Sequence, residues 1–197
     1  MLFTNTYTAE SYTLNGSTDL KVSKVLEGRE WKDGDEFKFT ISSKNPNAPM
    51  PTVDGAPQTE IQVTKDQQSA SFGNITFTEA GEYVYTIQET KGDLDGMTYS
   101  DTVYTVTVKV ADGNQGKLTA DVTYTKVGEE GFNYEGEGSM TFTNTFTPAT
   151  LGDSEADEDI TITKNLTGRA WQEGDAFAFT IEGADTLTKE AITNGAI

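Results

Sequence analysis

Neither cysteine nor histidine occurs among the 197 residues. Their absence removes disulfides, thiol nucleophiles, imidazole acid–base chemistry and the usual zinc and haem ligands together. With no imidazole to activate the Ser and Thr hydroxyls, a hydrolase triad is excluded as well, and no enzyme turnover, cofactor or metal is expected. Long apolar runs are also missing. None approaches the roughly 20 residues of a membrane helix, and the N-terminus lacks the basic and apolar blocks of a signal peptide. Sorting signals of an exported parent protein are therefore expected outside this segment. Positive charge is scarce: 14 Lys and Arg face 32 Asp and Glu, a net charge of −18. That balance repels phosphate backbones and anionic bilayers, so neither nucleic acid nor membrane is an expected partner. Aromatic residues, in contrast, are plentiful, and ten Phe and eight Tyr suffice to build a core.

The chain repeats itself. Lys24-Val25-Leu26-Glu27-Gly28-Arg29-Glu30-Trp31 returns as Lys164-Asn165-Leu166-Thr167-Gly168-Arg169-Ala170-Trp171, at an offset of 164 − 24 = 140. Gly34-Asp35, Phe37 and Phe39-Thr40-Ile41 recur at the same offset. A second pair, Phe3-Thr4-Asn5-Thr6-Tyr7 and Phe142-Thr143-Asn144-Thr145-Phe146, is offset by 142 − 3 = 139. The expected parse is the last strand of a preceding repeat at 1–9, one complete domain at 10–149, and a linker with the first strands of a following, truncated repeat at 150–197. Residues 152–159 read Gly-Asp-Ser-Glu-Ala-Asp-Glu-Asp, a solvated linker whose carboxylates lack the ordered ligand spacing of a calcium loop.

Within the central unit, residues rich in Val, Thr, Tyr and Phe alternate at period two between breaks of Gly, Asp and Asn. Strands are expected at 18–26, 36–42, 59–64, 69–77, 82–90, 102–110, 117–125 and 139–147, with a hairpin loop at 111–116. No segment has a convincing helical period, so two stacked sheets of short antiparallel strands are expected. Alternation also sorts side chains by face. Lys24 falls in register with buried Leu20, Val22 and Leu26; Glu89 continues the face of Tyr83, Tyr85 and Ile87; Asn144 sits between Phe142 and Phe146. A lysine, a glutamate and an asparagine thus point into the core, where an unpaired charge costs several kcal/mol, and they are expected to meet. On alternation alone the favoured reading is an ordinary buried Lys–Glu ion pair with a hydrogen-bonded Asn nearby.

Lys24, the Leu-x-Gly-Arg-x-Trp-x-x-Gly-Asp-x-Phe-x-Phe run from Leu26 to Phe39, Tyr85 to Glu89, Tyr104 to Val110 and Phe142 to Phe146 together resemble the streptococcal-type pilin isopeptide linkage domain, a repeat of the FctA-like kind. That family has an Ig-like sandwich related to the Cna B-type repeats of Gram-positive surface proteins. The resemblance implies a tandem array of all-β sandwiches, each closed by an autocatalytic amide, here between Lys24 and Asn144 with Glu89 relaying protons. It extends to Asn5 and Lys164 as the reactive residues of neighbouring repeats. In the expected chemistry, burial favours a neutral Lys24 amine, and Glu89, as a neutral acid, hydrogen-bonds the Asn144 carbonyl oxygen while ammonia leaves.

The implied function is a structural stalk or shaft module of an extracellular, cell-wall-attached protein or pilus, whose partners are neighbouring repeats. The competing function is adhesion, with a host protein or glycan bound directly; a domain-specific insertion such as the Pro-rich segment from Ser43 to Gln58 would favour it. The repeated Gly28-Arg29-Glu30-Trp31 segment is expected to stabilise the fold, since each unit carries it.

Overall fold

Alternating sequence becomes sheet through most of the central unit. The computed structural model describes residues 3–4, 8–113, 115–129, 132, 134, 139–147, 162–183 and 189. It divides into two units, Met1–Phe146 and Thr147–Ile197. In the first unit β1 (Tyr12–Leu14) leads into a single helical turn, α1 (Gly16–Asp19). Then follow β2 (Lys21–Glu27), β3 (Glu36–Ser43), a small hairpin of β4 (Thr52–Val53) and β5 (Ala56–Pro57), and β6 (Glu60–Thr64). β7 (Ser69–Ser71), β8 (Ile75–Phe77), β9 (Gly81–Thr90), β10 (Met97–Thr98), β11 (Val103–Asp112), β12 (Leu118–Lys126) and β13 (Met140–Phe146) complete it.

Two sheets form the sandwich. One has the order β10-β13-β2-β7 and the other β12-β11-β9-β3-β6, while β1 pairs with β8 apart from both. The pairings between named strands are antiparallel, with the single exception, among the described residues, of β2 beside β13. The first and last long strands are therefore direct neighbours. Between the sheets lie Val22, Met140 and Phe142 from one side and Phe37, Phe39, Ile41, Tyr85, Ile87, Tyr104 and Val106 from the other, all at 2% exposure or less. At about 1.5–3 kcal/mol for each large apolar side chain buried, this layer drives assembly.

The expected all-β sandwich is present, with local departures. Residues 18–19 open no strand, because Asn15 caps α1 by accepting a hydrogen bond from the Ser17 N–H at 3.0 Å. The expected strand at 69–77 is two strands in different sheets. Gly73 makes the break, where a Cβ would lie 2.2 Å from the Thr52 carbonyl oxygen. The Pro-rich insertion does not project freely: Thr52 N–H bonds the Asn74 carbonyl at 2.9 Å, and the Tyr85 hydroxyl donates to the Pro49 carbonyl at 2.7 Å.

In the second unit, residues 162–183 form no strand pairing among the described residues. The repeated loop is nevertheless built. Arg169 grips Asp175 with two hydrogen bonds at 2.8 and 2.7 Å, and Trp171 meets Phe177 edge-on at 5.4 Å. The counterparts in the first unit, Arg29 with Asp35 at 2.8 and 2.8 Å and Trp31 with Phe37 at 5.3 Å, have the same geometry. The acidic stretch 152–159, weighed above as linker and calcium loop, lies outside the described residues, as does Asn5.

Candidate functional site

Three elements carry three polar side chains to one point in the core. The parallel register sets Lys24 opposite Phe142 and Leu26 opposite Asn144. Lys24 and Asn144 are thus offset by two residues on adjacent strands and share a face, which puts their Cα atoms about 8 Å apart from strand spacing and rise. Glu89 comes from the opposing sheet, on β9 beside Phe39 of β3. Relative exposure is 3% for Lys24, 6% for Glu89 and 0% for Asn144, so water cannot solvate the group.

Glu89 bridges the other two. Lys24 Nζ donates to Glu89 Oε2 at 2.9 Å, and Asn144 Nδ2 donates to Glu89 Oε1 at 2.8 Å. The rings of Phe37 and Phe39 wall the amine, with centroids 4.9 and 6.0 Å from Nζ. Burial against these rings lowers the Lys24 pKa to about 8, a desolvation that outweighs the opposing hydrogen bond and charge of Glu89. A free amine is therefore accessible at mildly alkaline pH, already held to a carboxylate that also holds the amide nitrogen.

The carbonyl oxygen of Asn144 has a different partner from the expected one. Its Oδ1 accepts a hydrogen bond from the backbone N–H of Ser100 at 2.7 Å, and the same N–H reaches Glu89 Oε2 at 3.2 Å. Glu89 faces the nitrogen of the carboxamide instead of the oxygen. Sequence patterning gave no hint of Ser100, because a backbone donor leaves no mark on side-chain identity.

One end of the β2 and β13 pair is closed by the repeated loop. Gly28 has φ +83°, and a Cβ there would lie 1.9 Å from the Phe146 carbonyl oxygen, so only glycine permits this approach. Arg29 lies 5.2 Å from the Phe146 ring centroid while pairing with Asp35, whose carboxyl it holds below the usual range. The loop thus braces the strands that present Lys24 and Asn144, in keeping with a structural role.

Of the residues singled out from sequence, Lys24, Glu89 and Asn144 converge. Lys164 is exposed and lies over the Phe177 ring at 4.7 Å, echoing Lys24 over Phe37, with no ion pair to a glutamate among the described residues. Among the described residues no cluster of acidic side chains is arranged to hold a metal ion, and no helix is long and apolar enough to cross a membrane.

A family model described as FctA, Spy0128-like isopeptide containing domain, matches residues 20–147. Solved structures with a similar course of chain include the major pilin protein T-13 of Streptococcus pyogenes, at 20% identity and a TM-score of 0.48, covering 76% of this chain and 60% of the pilin. The T3.2 major pilin of the same species matches at 20% identity and a TM-score of 0.44, covering 71% of this chain and 55% of that one. A further S. pyogenes major pilin gives 20% identity and a TM-score of 0.42 over 74% and 53%. The chain therefore spans between about half and three fifths of the length of these pilins. No curated protein matches it.

Proposed function

The chain belongs to the FctA family of Spy0128-like isopeptide-containing domains, and from that premise we propose that Lys24 and Asn144 fuse into an intramolecular amide that makes this domain a tension-bearing module of a bacterial surface stalk or pilus shaft. The observation that carries the reading is Glu89 bridging the amine and the amide nitrogen at 2.9 and 2.8 Å inside the core.

The step balances as follows. Lys24, having lost its ammonium proton, attacks Cγ of Asn144 with the Nζ lone pair. As the new C–N bond forms, Glu89 Oε2 takes a proton from Nζ. The protonated carboxyl group turns and passes that same proton to Nδ2, the tetrahedral carbon regains its carbonyl as the Cγ–Nδ2 bond breaks, and ammonia leaves. Glu89 ends as it began, having moved one proton between two nitrogens. Packing supplies the proximity: amine and carboxamide held together in a dry core react as an intramolecular pair, with effective molarities of about 10⁵ M or more. The event occurs once per chain and is not turnover.

The product ties the first long strand to the last. Force entering near Lys24 and leaving near Asn144 runs through a covalent link, and the chain between them stays unloaded. Adjacent repeats of the same protein are the natural neighbours, and at a cell-wall-attached extracellular site the amide would supply the covalent staple that a chain without cysteine cannot draw from disulfides. Intact mass spectrometry of the purified chain tests the chemistry. The protein should be lighter than its sequence by one ammonia, and Lys24→Ala, Asn144→Ala and Glu89→Ala should restore the full mass. An unmodified wild-type mass would sink the proposal.

A further inference from the structure

We propose that the backbone N–H of Ser100 is the oxyanion donor of the cross-linking reaction, a catalytic group that this inference adds to the Lys24, Glu89 and Asn144 set and that rests on the function proposed above. Both oxygens of Glu89 are occupied by nitrogen donors, Lys24 Nζ on Oε2 and Asn144 Nδ2 on Oε1. Glu89 is thus placed on the attacking and departing nitrogens, and it has no contact that would polarise the carbonyl. When Nζ adds to Cγ, the π electrons of the carboxamide move onto Oδ1, and the negative charge developing there needs a donor within a dry pocket. The Ser100 N–H is already 2.7 Å from that oxygen.

The donor is fixed in place before any bond forms. Ser100 lies between β10 and β11, two strands that belong to opposite sheets. β10 is tied to β13, with Met97 opposite Phe146 and Thr98 opposite Thr145, so the segment reaching Ser100 is registered on the strand that carries Asn144. Tyr99 anchors it on the other side, its hydroxyl accepting from the Leu94 N–H at 3.3 Å and its ring meeting Phe37 at 6.2 Å. The Ser100 hydroxyl accepts from the Thr102 N–H at 3.3 Å and makes no hydrogen bond to Lys24, Glu89 or Asn144. The second arm of the forked N–H, 3.2 Å from Glu89 Oε2, aligns the relay with the carbonyl it serves.

The test needs a change in the backbone and not in the side chain. A chain carrying the α-hydroxy analogue of serine at position 100, made by cell-free synthesis, replaces the amide N–H with an ester oxygen at nearly constant shape. Wild type, this ester chain and Ser100→Ala are collected in guanidinium, refolded by dilution, quenched with acid at intervals and weighed for ammonia loss. The ester should close about 100-fold more slowly than wild type, the usual effect of deleting one oxyanion donor, while Ser100→Ala should close at close to the wild-type rate. An ester chain that folds and closes within twofold of wild type overturns the inference, whereas a wild type that never loses ammonia overturns the underlying function instead. Should the ester chain fail to fold, nuclear magnetic resonance of Lys24→Ala, which cannot close, decides the matter. Its Ser100 amide proton should lie far downfield and exchange slowly, and it should move upfield on adding Asn144→Ala, which leaves only the longer arm to Glu89. A Ser100 amide that exchanges freely in Lys24→Ala overturns the inference.

Discussion

Replacing Asn144 by Ala removes the proposed electrophile and leaves the Lys24 amine with Glu89 as its partner, so the thermodynamic worth of the proposed cross-link can be worked out. The proposed bond would close a loop of 144 − 24 = 120 residues. In the chain-entropy treatment such a closure withdraws about 5 kcal/mol of freedom from the unfolded state. The substitution also strips the carbonyl acceptor from the Ser100 N–H, which costs about 1–3 kcal/mol more. The sum is about 6–8 kcal/mol, as large as the entire stability of many domains. For a domain of about 130 residues, with an unfolding entropy of about 0.3 kcal/mol/K, the midpoint should fall by about 20 °C or more. Guanidinium unfolding followed by tyrosine fluorescence, on samples whose cross-linking has been verified by mass, measures it. The denaturant slope should also rise, because the freed chain exposes more surface. A loss below about 2 kcal/mol in a wild type shown to be cross-linked would refute the loop-entropy argument.

Three further outcomes are expected. Pulled from its ends in a force spectrometer, the wild type should withhold the segment between residues 24 and 144, and Asn144→Ala should release it, a gain of about 400 Å of contour at 3.3–3.6 Å per residue; equal lengths would mean that no covalent shortcut exists. The rate of ammonia loss on refolding should climb with pH as Lys24 gives up its proton and level off above about 8; a rate unchanged between pH 6 and 9 would show that solvent need not remove that proton. Gly28→Ala should destabilise the first unit by more than 2 kcal/mol in thermal unfolding, since it forces both a left-handed backbone and a collision with the Phe146 carbonyl; Gly34→Ala, also left-handed but with nothing within 4 Å of its Cβ, should cost about 1 kcal/mol.

Much of this site could be read from alternation. Lys24, Glu89 and Asn144 each occupy a core-facing register position among apolar neighbours, and period two is insensitive to tertiary detail so long as the strand is regular. Alternation failed where regularity failed. The run from Ser69 to Phe77 looks like one strand, yet Gly73 must admit the Thr52 carbonyl and the chain changes partners there. The opening of the first expected strand was lost to a cap, Asn15, acting over two residues. The orientation of the Asn144 carboxamide could not be read either, since it depends on a backbone N–H brought in by the short β10 pairing, whose two residues carry no pattern.

The two copies of the repeated motif separate what local sequence builds from what only a closed sandwich builds. Residues 164–177 reproduce the arginine–aspartate clasp, the left-handed glycines at 168 and 174, the edge-on Trp–Phe contact and a lysine poised over phenylalanine, all without strand pairing in the described residues. What they do not reproduce is burial: Lys164 is exposed, and so are Phe177, Phe179 and Ile181. In the first unit the corresponding lysine is covered by Phe37 and Phe39 of β3 and by β9 and β13, which arrive from 65 and 120 residues further along. Reactivity therefore waits on the most distant contacts in the fold. On the proposed chemistry no amide can form before β13 is seated beside β2, because Asn144, the carbonyl to be attacked, is on β13. Kinetically, ammonia loss should always trail the appearance of native tyrosine fluorescence in a stopped-flow refolding experiment, and a chain that closed its bond before the sheets had assembled would contradict this order.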